Sequence, residues 1–168
     1  MTSSGRSAPE PLSPSHDVDL FDCGVPALDD WLKERGATNE ASGATRTYVV
    51  CVASKVVGYY VLATGAVAPD AAPGAVRRNM PEPVPVIVLG RLAVERRYQR
   101  QGLGQALLRD AILRVLQAAD IIGVRTILVR AISEDARQFY LSHGFIESPL
   151  DRMTLCLPLL TVRRALLE

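Results

Sequence analysis

The stretch that most constrains this chain is Leu92-Ala93-Val94-Glu95-Arg96-Arg97-Tyr98-Gln99-Arg100-Gln101-Gly102-Leu103-Gly104-Gln105-Ala106-Leu107-Leu108. An apolar strand runs into a short polar turn, and two glycines open a strongly patterned helix. Glycine there permits positive φ and close backbone approach. The first N–H groups of a helix have no intrahelical acceptor and point outward, so the helix start receives anions. Arg100 and its neighbours add positive charge, and a diphosphate is the natural guest. Two nucleotide-binding patterns match poorly. A Walker loop needs a Gly-Lys pair, which does not occur, and the dinucleotide fingerprint needs glycine where Leu107 stands.

The rest of the chain supplies a frame for that junction. A helix is expected from about Val25 into the thirties, with Pro26 in its first turn and Leu28, Trp31 and Leu32 on one face. Trp31 reads as a core anchor. Thr47 to Ala53 and Val56 to Thr64 read as two strands joined at Ser54-Lys55, a hairpin. Tyr59 and Tyr60 alternate on the second, so one of them should face the core. Residues 69–83, rich in proline, read as a loop, and Val84 to Val94 as the strand entering the junction. Gly104 to about Ala119 is the clearest helix, ended by Gly123. Val124 to Val129 is a strand, and Ser133 to Ser142 a short helix capped by Ser133 with acids in its first turn. Gly144 to Ile146 and Met153 to Leu157 are further strands. Strands alternating with helices after an antiparallel start predict an α/β (α+β) fold, a mixed central sheet flanked by helices.

At 168 residues the length favours a single domain. The expected divisions are a flexible Ser/Pro-rich arm over 1–16, a folded domain over 17–160 and a tail over 161–168. With 48% hydrophobic residues the chain can bury a core, and no stretch approaches the roughly 20 apolar residues of a membrane helix. The N-terminus lacks the apolar segment of a secretory signal, so a cytoplasmic location is expected and a membrane partner is not. Cys23, Cys51 and Cys156 are widely spaced without a C-x-x-C pair and read as small buried side chains. His16 and His143 are far apart in sequence, so no metal is expected.

Net charge is +1 but unevenly spread, with eight of the seventeen arginines between residues 77 and 114. Such a stripe suits a phosphate-bearing ligand.

The junction resembles the Q/R-x-x-G-x-G/A acetyl-CoA signature of the GNAT N-acetyltransferase superfamily, through Gln99, Gly102 and Gly104. Ala136-Arg137-Gln138-Phe139-Tyr140-Leu141-Ser142-His143-Gly144-Phe145 is similar to that family's A-x-x-F/L-Y-x-x-x-G-F segment. The resemblance implies the GNAT fold and acetyl-CoA as co-substrate. It implies that the loop from Gln99 through Arg100, Gln101, Gly102, Leu103, Gly104 and Gln105 holds the CoA pyrophosphate. Leu92, Ala93 and Val94 would pair with the pantetheine. Ser133 stands where the family often has Asn, so its hydroxyl would replace a polar CoA contact.

Longer phrases resemble the GNAT toxins of bacterial toxin–antitoxin modules. They are F-D-C-G-V-P-A-L-D-D-W-L, G-Y-Y-V-L-A-T-G-A-V, R-R-N-M-P-E-P-V-P-V-I-V-L-G-R-L-A-V and F-Y-L-S-H-G-F. This narrower resemblance implies acetylation of the α-amino group of aminoacyl-tRNA, arrest of translation, a ribbon-helix-helix antitoxin and a toxin homodimer. It also implies that Tyr140 is the general acid facing the thioester sulfur, with Phe139 in the core. An α-amine has a pKa near 8 against about 10.4 for lysine, so an α-amino substrate relaxes the need for a base. Glu95, followed by two arginines, reads as a surface ion pair rather than a base. Arg77, Arg78, Arg91, Arg96 and Arg97 are the candidates for RNA phosphates, Arg96 and Arg97 being also available to CoA, and Tyr98 for base stacking. Two alternatives stand beside this reading. One is a GNAT enzyme acting on a protein N-terminus or small amine, against which the arginine stripe argues for polycations. The other is a non-enzymatic acyl-CoA-binding module. The apolar tail could close the sheet, support a dimer or receive the antitoxin.

Overall fold

A computed structural model describes residues 5–166. The elements run β1 (Glu10–Pro11), α1 (Pro26–Trp31), a wide π-type turn (Leu32–Gly36), α2 (Ala37–Ser42), β2 (Arg46–Val52) and β3 (Lys55–Val67). A 3-10 turn (Pro69–Ala71), α3 (Gly74–Arg77), β4 (Val84–Val94) and a second 3-10 turn (Arg96–Tyr98) follow. Then come α4 (Leu103–Ala119), β5 (Thr126–Arg130), α5 (Glu134–Ser142), β6 (Ile146–Glu147), β7 (Thr154–Pro158) and α6 (Leu159–Leu166). The seven strands are ordered β1-β2-β3-β4-β5-β7-β6. The β4–β5 ladder is parallel, while β1–β2, β2–β3, β5–β7 and β6–β7 are antiparallel, so the sheet is mixed as expected.

Two compact units share the chain, residues 1–63 with 90–112 and residues 64–89 with 113–168. In the first, Phe21, Leu28, Leu32, Val49, Cys51, Tyr59, Val61 and Ala93 form an apolar cluster, with Trp31 packed at its margin. Both tyrosines of β3 are buried, where one was expected to be. Tyr59 meets Phe21 and Trp31 on one face. Tyr60 stacks on Tyr48 and its hydroxyl donates to Asp110 of α4 on the other, so both faces of β3 are covered. In the second unit, Ala72, Val76, Val84, Val86, Leu128 and Cys156 cluster. All three cysteines are buried and free, matching their reading as small hydrophobes.

The structure differs from the expected loose arm within residues 6–17. Glu10–Pro11 pairs with Tyr48 and Val49 of β2, Arg6 and Asp17 bridge to Val52 and Lys55, and Leu12 is buried. Serine and proline composition concealed an edge strand held by backbone bonds and one leucine. Residues 1–4 of that arm, and 167–168 of the expected tail, lie outside the described residues. The remainder of the tail continues helix α6, anchored by buried Leu159 and by an Arg163–Asp120 ion pair at 3.0 Å.

Two features position the junction. The parallel ladder joins Val86, Ile87 and Val88 to Thr126, Ile127 and Leu128, and β4 runs on for six residues, Leu89–Val94, past its end. At Gly58 on β3, an added Cβ would stand 3.1 Å from Leu107 Cδ1 and 3.3 Å from Leu103 Cδ2, so the start of α4 seats directly on the strand. Gly58→Val should therefore cost about 1–3 kcal/mol through overpacking, read as a lower urea midpoint at unchanged m-value.

Candidate functional site: the strand-to-helix junction and the Tyr140 helix

The junction is braced before it can bind anything. Gln99 Nε2 donates to the carbonyls of Cys23 and Val94, each at 2.8 Å, tying the loop both to the α1 entry and to the end of β4. Arg96 adds a backbone bond to Asp22 O at 2.8 Å and an Nε bond to Asp22 Oδ1 at 3.0 Å. The guanidinium beside Asp22 holds that carboxyl below the usual carboxylate range. Asp29, buried in α1, accepts from Cys23 N at 2.9 Å and fixes the receiving turn. Asp22, Cys23 and Asp29 were not singled out as site residues. Their role depends on a contact some seventy residues away in sequence, which no local pattern announces.

With the loop so held, Arg100 (φ 63°) and Gly102 (φ 81°) both adopt the left-handed region. Left-handed residues within a turn help to shape the backbone N–H concavities that bind anions. Leu103 is buried as the anchor of the first turn, and that turn carries no acid to compete for an anion. The Leu103, Gly104 and Gln105 amides precede the first intrahelical bond, which runs from Ala106 N to Gly102 O. The geometry therefore fits a diphosphate.

Glu95 makes the expected ion pair, with Arg97, but its own carboxylate is buried rather than at the surface. Its Oε2 accepts from Arg97 N at 2.7 Å and its Oε1 from Arg97 Nε at 3.1 Å, so both oxygens cap their own turn. A carboxylate so engaged is a poor general base. Arg96 and Arg97 are thus each paired to a carboxylate, yet their side chains stay 63% and 74% exposed and keep their outer nitrogens at the surface. Tyr98 lines a cavity of about 310 Å³ with Leu20, Phe21, Lys55, Glu95 and Arg97. Arg91 lies over the Trp31 ring, whereas Arg77 and Arg78 are exposed on and after α3.

In the other unit, Ser133 caps α5 as its sequence foretold, accepting from Ala136 N at 3.1 Å, with Glu134 and Asp135 in the first turn. Among the described residues no acceptor takes the hydroxyl proton. Tyr140 is 8% exposed, clasped edge-on by Phe139 and Phe145 with centroids 5.3 Å away in both cases. Among the described residues nothing hydrogen-bonds its hydroxyl. Burial pushes its pKa up to about 12, which keeps it a proton donor across the neutral range.

Three ligand-type side chains, Glu10, His16 and Cys51, lie within 4.8 Å of one another. Ser13 N donates to His16 Nδ1 at 2.9 Å, which places the imidazole proton on Nε2, facing Glu10 at 2.8 Å. That arrangement ties Glu10 of β1 to the turn at Ser13 and His16, with the wrong tautomer for a metal on Nε2. No helix among the described residues is long and apolar enough to cross a membrane.

The acetyltransferase (GNAT) domain model matches residues 44–147, and the chain belongs to the GNAT acetyltransferase family. It is 53% identical over 154 residues to a tRNA-acetylating toxin of Mycobacterium tuberculosis, covering 92% of this chain and 93% of the relative. Among solved structures, AtaT complexed with acetyl-methionyl-tRNAfMet matches with a TM-score of 0.88 at 28% identity, over 96% of this chain and 99% of that one. A tyrosine-to-phenylalanine variant of AtaT bound to the C-terminus of the antitoxin AtaR and acetyl-CoA matches at 0.82 and 28% identity, over 97% and 99% of the two chains.

The buried phenol generates a pH prediction. An unfolded tyrosine ionises near pH 10, whereas folded Tyr140 holds its proton to about 12. The stability this contributes is fully present below about pH 10 and is lost as pH rises towards 12. Tyr140→Phe should show a shallower alkaline loss of stability in urea melts and one fewer late step in the 295 nm absorbance titration.

Proposed function

We propose that this protein is an acetyl-CoA-dependent N-acetyltransferase toxin that acetylates the α-amino group of aminoacyl-tRNA and so inhibits translation. The observation that carries the reading is the 53% identity to a tRNA-acetylating toxin along nearly the whole of both chains. A tRNA-bound and an acetyl-CoA-bound neighbour of the same fold support it.

Acetyl-CoA supplies the acetyl group as an activated thioester. The amides of Arg100 to Gln105 hold its diphosphate, aided by the Arg100 charge, with Gln99 acting as the brace of that loop rather than as a direct ligand. Leu92, Ala93 and Val94, on the part of β4 beyond the parallel ladder, offer backbone groups to the pantetheine. A backbone N–H near Val94 polarises the thioester carbonyl. Ser133 donates its hydroxyl proton to the cofactor while its oxygen caps α5. The neutral α-amine forms the new N–C bond and loses its proton to solvent. As the C–S bond breaks, Tyr140 passes its phenolic proton to the departing thiolate and is reprotonated from solvent.

Arg77, Arg78 and Arg91, joined by the outer nitrogens of Arg96 and Arg97, meet RNA phosphates in a salt-dependent manner. A ribbon-helix-helix antitoxin neutralises the enzyme, which works as a homodimer in the cytoplasm. The exposed Ile121, Ile122, Leu160 and Leu166 support burial against protein partners.

The test is transfer of labelled acetyl from acetyl-CoA to a pool of charged tRNA, beside deacylated tRNA. Label should reach charged tRNA only, and Tyr140→Phe should lower kcat by about 10²–10⁴-fold. Label that survives Tyr140→Phe in full would keep the substrate and discard the general acid. Label on small amines or protein N-termini, with none on tRNA, would replace the substrate.

A further inference from the structure

Arg91 is held by aromatic packing and, among the described residues, given no counter-charge. Side chains two apart on a strand share a face, so Arg91 projects on the side of β4 where Ala93 joins the α1 core. Its guanidinium carbon sits 4.5 Å from the Trp31 ring centroid. Trp31 in turn stacks on Tyr59, 6.1 Å between centroids and 5° from parallel. Tyr59 is fully buried and anchored by its hydroxyl to Leu28 O at 2.6 Å. Directly after Trp31 the helix widens into the π-type turn Leu32–Gly36, a local irregularity that is frequent at functional sites. Among the described residues no carboxylate pairs with Arg91.

A guanidinium held over an aromatic face by cation–π attraction keeps N–H donors for a phosphate, which arginine grips bidentately. Partial burial without a counter-ion strengthens its pull on an anion. The anion it would meet follows from its place on the strand. With the diphosphate at Arg100 to Gln105 and the thioester carbonyl near Val94, Arg91 stands on β4 beyond the reacting end of the cofactor. The CoA phosphates are then at the far end, and the client of Arg91 belongs to the acceptor.

Resting on the function proposed above, we propose that Arg91, oriented by Trp31, binds a phosphate at the acceptor end of the aminoacyl-tRNA, with Trp31 as its positioning residue. A hydrogen-bonded charge pair of this kind is worth about tenfold or more in binding.

The experiment measures KM for charged tRNA, KM for acetyl-CoA and kcat as functions of salt. Arg91→Ala and Trp31→Ala should each raise the tRNA KM about tenfold or more. They should leave acetyl-CoA KM and kcat near wild type. Arg91→Ala should also flatten the salt slope by roughly 0.7–0.9, the share of one phosphate contact. Trp31→Phe, which retains a flat ring, should restore near-normal tRNA KM. If Arg91→Ala fails to fold, Arg91→Lys replaces it. That variant keeps the charge but loses the bidentate grip, so it should raise tRNA KM while preserving the salt slope. An unmoved tRNA KM, or a rise in acetyl-CoA KM instead, overturns the inference while tRNA acetylation by the wild type stands. A wild type that labels no charged tRNA brings down the function and this inference together.

Discussion

The side-chain amide of Gln99 is the contact on which the junction depends. One nitrogen satisfies two carbonyls, Cys23 O and Val94 O, which belong to segments more than seventy residues apart. Both acceptors demand a donor, which glutamate in the same place would lack. The brace also explains why Arg100 can sit at φ 63°. A non-glycine residue held in the left-handed region costs of order 1–3 kcal/mol, and it persists only where its surroundings over-determine it. Here the surroundings are the Gln99 bonds before it and the seating of Leu103 against Gly58 after it. The anion site proposed for these backbone amides requires that they be aimed before the ligand arrives. Gln99 and Leu103 do that aiming from either side.

Local patterning made much of this visible. Val84 to Val94 emerges as β4 with the bounds read from its β-rich run, and the Ala106, Leu107, Ala111, Val115 spacing locates α4 within one residue of its start. Ser133 followed by two acids marks the cap of α5 because capping is a short-range interaction. What stayed hidden depends on partners distant in sequence. The edge strand at Glu10–Pro11 has no alternation of its own and exists because β2 offers it an open edge. Burial of Tyr60 beside Tyr59 requires knowing that α4 covers the second face of β3. The helical path also continues through Gly36 into α2, and the need for glycine there comes from the distant Leu12, whose Cδ2 would lie only 3.2 Å from an added Cβ. The site residues show the same division. Gln99, Gly102 and Tyr140 belong to local motifs, whereas the pairing of Arg91 with Trp31 joins a strand to a helix sixty residues earlier.

Two buried tyrosines show how one chemistry serves two ends. Burial raises the pKa of both Tyr59 and Tyr140. Tyr59 donates a hydrogen bond to Leu28 O and thereby becomes a fixed wall behind Trp31. The Tyr140 hydroxyl, by contrast, has no hydrogen-bond partner among the described residues, so its donor capacity is held in reserve. A packed ring fixes where the oxygen stands, and an unshared proton decides what it can do.

The state of Glu95 bears on which amines this site can serve. Both of its oxygens are taken up by the Arg97 turn, so the carboxylate at the end of β4 is not poised to accept a proton. A lysine side chain, almost wholly protonated at neutral pH, would need such a base, because only the neutral amine attacks a thioester. An α-amine near pKa 8 is already partly neutral and needs far less help. In the reaction proposed above, the acid side falls to a phenol that burial keeps protonated at neutral pH, while the base side is left to the substrate's own pKa. On that proposal the imbalance favours α-amino acceptors before any contact with the rest of the substrate is made, and the exposed Arg96 and Arg97 side chains favour acceptors that carry phosphate.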